Sequence, residues 1–294
     1  MNTRLHSFRN DGLVFDVTDS GPLNGEIVVL LHGFPQTADS WAAVAADLNQ
    51  RGYRTLAPNQ RGYSPGARPR GRLAYRGSKL VGDLKALIKA SGADAVHLVG
   101  HDWGAAVAWM MAAAHPEQVR SLTTASVPHP LAFYRSFFNS DQLFRSFYML
   151  VFQLPILPEW LIGKSLRRSA QGLTGIGMSA SQAAHVQTRI IENGALTGAL
   201  NWYRAMPFTA DPGFLRKVTV PTTHVWSTDD NALGRRGAEL TEQCVSGPYR
   251  LRILEGINHW IPEQAPAELA AIIVETIGMA GAQPSSGLAQ GQAG

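Results

Sequence analysis

The chain has 294 residues, of which 45% are apolar and 16% charged, with a formal net charge of +4. That is enough apolar material for a full core, in one large α/β domain or two modest ones. A single cysteine, Cys244, excludes an internal disulfide and fits a reducing compartment, so a cytoplasmic location is expected.

No signal peptide is expected, because Met1 to Arg9 has no apolar segment after its basic residues. The longest apolar stretch, Phe147 to Gly163, is interrupted by Gln153, Pro155, Pro158 and Glu159. It is too short and too broken to span a bilayer, so a soluble protein without membrane insertion is expected. From Arg51 to Lys79 the chain carries eight basic residues and no acidic one. The segment lacks the regular aromatics of a single-strand binder, so it reads as a solvated loop near a pocket mouth, with no nucleic-acid partner.

In chain order, Leu13 to Thr18 alternates like a strand and pairs with Arg4 to Phe8 as an antiparallel edge hairpin. Glu26 to Leu31 reads as a buried strand, Ser40 to Leu48 as an amphipathic helix and Tyr53 to Ala57 as a second strand. A helix from Lys79 to Ala90, the strand Ala95 to Val99 and an Ala-rich helix, Ala105 to Ala114, follow. The alternation breaks at Pro128-His129-Pro130, and from there to Asp211-Pro212 the sequence is helical, aromatic-rich and strand-poor. Strands return at Val218 to Val220 and Thr222 to Trp226. Then come a helix (Gly237 to Cys244, with the cysteine as a partly buried small residue), a strand (Tyr249 to Leu254) and a closing helix (Pro266 to Met279). Alternation of this kind predicts a mainly parallel sheet with helices on both faces. The expected organisation is a core of residues 1–129 and 213–280, a helical cap of residues 130–212, and a disordered tail of residues 281–294.

The segment Val99-Gly100-His101-Asp102-Trp103-Gly104 follows a strand and opens a helix, with small residues flanking the turn. That pattern matches the G-x-S-x-G elbow, in which a strained turn lifts one side chain above a sheet, with aspartate in place of serine. A carboxylate there displaces a leaving group from saturated carbon and forms an alkyl ester. His32-Gly33-Phe34-Pro35-Gln36 ends the first long strand, and the backbone N–H groups of Phe34 and Trp103 would form an oxyanion hole. Trp226 to Leu233 offers two acids, Asp230 first and Asp229 as the fallback, and His259 follows the last strand as the base. The literal match Gly62-Tyr63-Ser64-Pro65-Gly66 is rejected as an elbow: no strand enters it, no helix leaves it, and Pro65 has no N–H to donate.

Over roughly residues 5 to 280 the chain resembles the α/β-hydrolase fold family, whose triad runs nucleophile, acid, histidine along the chain. The Asp nucleophile, the His-Gly-Phe-Pro turn and Gly62 to Gly66 resemble its epoxide hydrolase branch. That resemblance implies two cap tyrosines that protonate the ring oxygen: Tyr203 within Asn201-Trp202-Tyr203-Arg204, and Tyr148 ahead of Phe152-Gln153. It implies conversion of an epoxide and water to a vicinal diol, with Asp102, Asp230, His259, Tyr148 and Tyr203 as catalytic residues and no cofactor or metal. Asn59 departs from the family, where aspartate is frequent. Trp41, Phe152, Trp202, Met206 and Trp260 are expected to line the substrate pocket, and Phe137, Phe138, Phe144, Phe147 and Trp160 suggest that it is apolar. Haloalkane dehalogenation with the same triad is the rival chemistry. It is disfavoured because Phe34 stands where many dehalogenases carry a halide-binding asparagine, and Ala105 and Ala106 where a fluoroacetate-type enzyme would place arginines. A non-catalytic ligand receptor is the remote alternative. Homodimerisation is compatible with the chain but not specified by it.

Overall fold

The computed structural model describes residues 3–168, 171–209 and 211–281. The tail expected to be disordered lies outside them from residue 282 on. Among the described residues, eight strands form one sheet in the order β1-β2-β4-β3-β5-β6-β7-β8. They are β1 (Ser7–Asn10), β2 (Leu13–Ser20), β3 (Ile27–Leu31), β4 (Arg54–Pro58), β5 (Val96–His101), β6 (Val119–Ala125), β7 (Thr222–Asp229) and β8 (Tyr249–Asn258). The two pairings of β2 are antiparallel and all the others parallel. The α-helices are α1 (Ala42–Gln50), α2 (Gly77–Ser91), α3 (Trp103–Ala114), α4 (Pro130–Asn139), α5 (Gln142–Arg145), α6 (Tyr148–Phe152), α7 (Leu157–Arg168), α8 (Gln171–Thr174), α9 (Ala180–Val186), α10 (Leu196–Ala205), α11 (Arg235–Leu240), α12 (Ile261–Gln264) and α13 (Pro266–Gly281).

The sheet is buried on both faces, and the period-two rule sorts its side chains. Val28 and Leu30 of β3 pack with Val44, Leu48 and Ile273 of α1 and α13. Their alternates, Val29 and Leu31, pack with Leu84 and Val107 of α2 and α3 on the opposite face. Each such fully buried side chain contributes about 1.5–3 kcal/mol relative to exposure.

One strand escapes the sequence reading. Residues 119–125, Val-Arg-Ser-Leu-Thr-Thr-Ala, form the central strand β6, although they contain no apolar run. Two of their three hydroxyls find partners across the sheet: Ser121 meets His97 Nδ1 at 2.8 Å, and Thr124 meets His224 Nδ1 at 2.9 Å. Conversely, Val218 to Val220 is no sheet strand. Val218 makes an isolated bridge to Val245.

Helices α4 to α10 stand between β6 and β7 in sequence. The motif Asn201-Trp202-Tyr203-Arg204 fixes how they sit over the sheet. Trp202 Nε1 donates to the Arg61 carbonyl at 2.7 Å. Gly198 lies so close to the loop after β4 that a Cβ there would stand 2.7 Å from Gly62 Cα. Arg204 Nη1 pairs with Glu159 Oε1 at 2.7 Å, and its Nε donates to the Phe152 carbonyl at 3.0 Å, binding α10 to α7 and α6.

The basic segment is less solvated than expected. Arg54 and Arg61 are buried, and pair with Asp19 and Asp83, respectively. Among the described residues, no single helix is long and apolar enough to cross a membrane.

Candidate active site

Strand β5 ends at His101, α3 begins at Trp103, and Asp102 between them has φ 51°, a left-handed conformation for a non-glycine residue. Such a conformation costs about 1–3 kcal/mol and persists only where the surroundings enforce it. Here they do. A Cβ on Gly104 would stand 2.1 Å from the Leu31 carbonyl oxygen, and one on Gly33 would stand 2.3 Å from Asp102 Oδ1. Only glycine lets the strand, turn and helix approach this closely, which is why the elbow was readable in sequence. The Phe34 N–H donates to Asp102 Oδ1 at 2.7 Å, and the Trp103 N–H opens α3 directly after Asp102.

His259 follows β8, and Asp230 follows β7. His259 Nδ1 meets Asp230 Oδ2 at 2.9 Å, and its Nε2 stands 3.7 Å from Asp102 Oδ2. The other oxygen of Asp230 accepts the N–H groups of Ala232 (2.8 Å) and Leu233 (2.9 Å), which leaves Oδ2 aimed at the ring. Of the two acids weighed in the sequence, Asp230 is buried against His259, whereas Asp229 is exposed at the end of β7. Burial opposes a charge on His259, but the carboxylates on either side prevail and hold its pKa up at about 10. Burial also works against ionisation of Asp102 and Asp230, and the histidine outweighs it, so both stay below the ordinary carboxylate range.

A cavity of about 550 Å³ opens above Asp102, lined by Trp103, Tyr148, Trp202, Tyr203 and Met206 among others. Tyr203 is enclosed by Phe34, Trp103, Tyr148 and Phe152, with ring centroids 5.0 to 6.0 Å away. Burial lifts the Tyr203 hydroxyl well above its ordinary pKa and raises that of Tyr148, and the negative charge of Asp102 adds to both.

Eight expected positions fall elsewhere. Trp41 is buried on the opposite face of the sheet, against Val28 and Leu30, because its helix packs beneath β3. Trp260 meets His259 edge to face at 4.9 Å and donates to the Ile176 carbonyl, outside the cavity lining. Phe152 supports Tyr203 without lining the cavity. Phe138, Phe144, Phe147 and Trp160 point outward to solvent, and Phe137 packs on Phe133. Ser64, the rejected elbow serine, is buried and structural: its Oγ donates to the Asn59 carbonyl and accepts the Asp16 N–H. The Asn59 side chain in turn accepts the Ala38 N–H at 3.0 Å.

A buried relay behind the histidine was not foreseen. His101 Nε2 lies 2.8 Å from the His259 carbonyl oxygen and its Nδ1 3.1 Å from Gln36 Oε1, while the Gln36 amide nitrogen reaches Glu263. Both contacts of the His101 ring need a hydrogen unless the Gln36 amide turns over, and then Glu263 must carry the proton instead. Either way the relay holds one proton more than a neutral histidine and an ionised glutamate would. Burial pushes His101 down to about 4 and Glu263 up to about 7, which puts that proton on Glu263 below neutrality. The sequence signal was His101 itself, a titratable residue inside the elbow motif.

The sheet order and a turn-mounted carboxylate with a histidine and a second acid define an α/β-hydrolase. A family profile described as the alpha/beta hydrolase fold matches residues 26–266. The chain is 33% identical to epoxide hydrolase 3 of Xenopus tropicalis, over 90% of this chain and 75% of that protein. It is 31% identical to epoxide hydrolase A of Mycobacterium tuberculosis, over 90% and 94%, respectively. Another relative at 33% identity, YfhM of Bacillus subtilis, is named by superfamily alone. The solved structure of epoxide hydrolase A from Mycobacterium thermoresistibile superposes with a TM-score of 0.80 at 27% identity, covering 92% of this chain and 96% of that one. The chain belongs to the epoxide hydrolase branch of the α/β-hydrolase family.

Proposed function

We propose that the protein converts epoxides to vicinal diols through an ester on Asp102. One observation carries the reading: a carboxylate nucleophile and two phenols, Tyr148 and Tyr203, face the same predominantly apolar cavity. The phenols equip the site for an oxygen that stays attached to its product. A halide leaving group has no use for a proton donor.

At rest, His259 is an imidazolium between two carboxylates, as its raised pKa implies. Asp102 Oδ1 is held by the Phe34 N–H, which leaves Oδ2, 3.7 Å from His259 Nε2, as the attacking oxygen. It forms a C–O bond to one epoxide carbon as the ring C–O bond breaks. The departing oxygen takes a proton from Tyr148 or Tyr203. With pKa values lifted by burial, these phenols stay protonated until so basic an alkoxide appears. The tyrosinate recovers its proton from the imidazolium, directly or through water.

Esterification removes the charge of Asp102, and with it one of the two carboxylates that kept His259 protonated. The ring becomes a base just when one is needed. It takes a proton from water, and the hydroxide adds to the ester carbonyl. The Phe34 and Trp103 N–H groups stabilise the oxyanion. Collapse releases the diol and restores the imidazolium and the carboxylate, so protons balance over one cycle. We place the enzyme in the cytoplasm, because its single cysteine, Cys244, is buried and unpaired.

Styrene oxide and a bromoalkane, assayed side by side, test the reading. Diol formation without halide release is expected; halide release without diol would replace this reading with dehalogenation.

A further inference from the structure

The cap is inside out along one edge. An amphipathic helix turns its apolar stripe toward the core. In residues 142–154 two inward positions are polar, beside the inward Tyr148, Met149 and Phe152: Gln142 and Ser146 are buried, and Gln142 bonds to the Ala232 carbonyl and the Gly234 N–H. The apolar stripe, Leu143, Phe144, Phe147, Leu150 and Leu154, faces solvent. Helix α7 repeats the arrangement with Leu157, Trp160 and Leu161 outward, at the i, i+3, i+4 spacing of one face. The two helical segments meet at 102°, and the turn between them projects Ile156, 78% exposed with φ 68°, an outlier for a β-branched residue. Phe144 of this stripe is 83% exposed, and Phe138 at the end of α4 is 88% exposed. Scattered apolar residues on a surface need no explanation, but a contiguous patch marks a binding face.

We infer that the outward face of α5 to α7 is a docking surface for an anionic lipid bilayer, on which the protein lies without spanning it. The charges around the patch select this occupant. From residue 130 to 164 both acids are neutralised: Asp141 pairs with Arg145 at 2.8 Å, and Glu159 with Arg204 at 2.7 Å. Over the same range Arg135 and Lys164 are exposed cations, and the Lys164 ammonium sits 4.5 Å above the Trp160 ring. Trp with an adjacent lysine suits the headgroup region, where the ring lies at the boundary and the amine reaches phosphate. In a symmetric dimer the same patch would meet itself and bring like-charged rims together. An anionic surface complements them.

The geometry also relates this face to the cavity. Tyr134 both lines the cavity and reaches solvent, one turn from Phe138 on α4. Docking would bring that side of the cavity toward the lipid, in which apolar substrates accumulate.

Sedimentation of the full chain with vesicles tests the proposal. Vesicles of phosphatidylcholine with phosphatidylglycerol should bind the protein, phosphatidylcholine alone much more weakly, and added salt should release it. The double variant Phe144→Ser, Ile156→Ser should lose about tenfold or more of this binding, since each buried apolar side chain contributes to the partitioning. Its melting temperature and its diol formation without vesicles should match the parent, because neither residue belongs to the reacting site. Asp102→Ala should bind vesicles normally, which separates this proposal from the catalytic one. No binding to anionic vesicles, or equal binding by the double variant, overturns it. So does a dimer in solution that the double variant converts to monomers, which would make the patch a contact between copies.

Discussion

In the proposed mechanism the loops at the ends of the sheet strands and the helices above them contribute different halves of the chemistry, and the structure holds them in different ways. Asp102, Asp230 and His259 sit at the ends of β5, β7 and β8, locked by backbone N–H groups and by glycines that admit no side chain. Tyr148 and Tyr203 sit on α6 and α10, which reach the core through the Trp202 indole and the Gly198 contact. The proposed nucleophile and base thus belong to the tightly locked layer, and the proposed proton donors to a layer fixed by a few anchors. Damage to the two layers should therefore stall different steps.

The largest effect is expected from His259→Gln. Turnover should fall by at least about ten-thousandfold, while one equivalent of substrate is still consumed and remains on Asp102 as an ester. Intact-protein mass spectrometry reads the adduct. Tyr203→Phe should slow turnover about a hundredfold, with Tyr148→Phe similar or milder and the double variant much worse. Here the mass spectrum should show no adduct, because alkylation itself is slowed. An accumulating ester in Tyr203→Phe would erase the division between the layers.

Gly198→Ala strikes the anchor without touching either set. Overpacking against Gly62 should destabilise the fold by about 1–3 kcal/mol in thermal melts and lower kcat by displacing Tyr203. Glu263→Gln should have the smallest effect, visible as a pH profile. The folded pKa of Glu263 is raised to about 7 from 4.5, so its stabilising protonated form is complete below pH 4.5 and lost as pH rises through 7. Glutamine mimics that form, so the variant should gain melting temperature over the parent above neutrality and match it in acid.

The layers also differed in how much the sequence disclosed. Asp102, the turn at Phe34 and His259 were legible because elbow, turn and triad order impose local spacing. Tyr148 and Tyr203 were legible only through resemblance, since a tyrosine in an aromatic helix otherwise reads as packing. The central strand β6 was hidden because Ser121 and Thr124 find partners on neighbouring strands, which no single segment reveals. Outward aromatics such as Phe144 were misplaced into the pocket for a related reason. Periodicity reports an apolar face but not its direction, and here Gln142 and Ser146 take the inward positions.

The central claim is the ester on Asp102, and a single turnover in water enriched in oxygen-18 tests it most directly. With enzyme in excess over epoxide, the first diol should carry only unlabelled oxygen, and the label should appear in the carboxylate of Asp102 on peptide mass analysis. Labelled diol from that first turnover, with Asp102 unlabelled, would mean that water attacks the epoxide directly, and the account would be wrong.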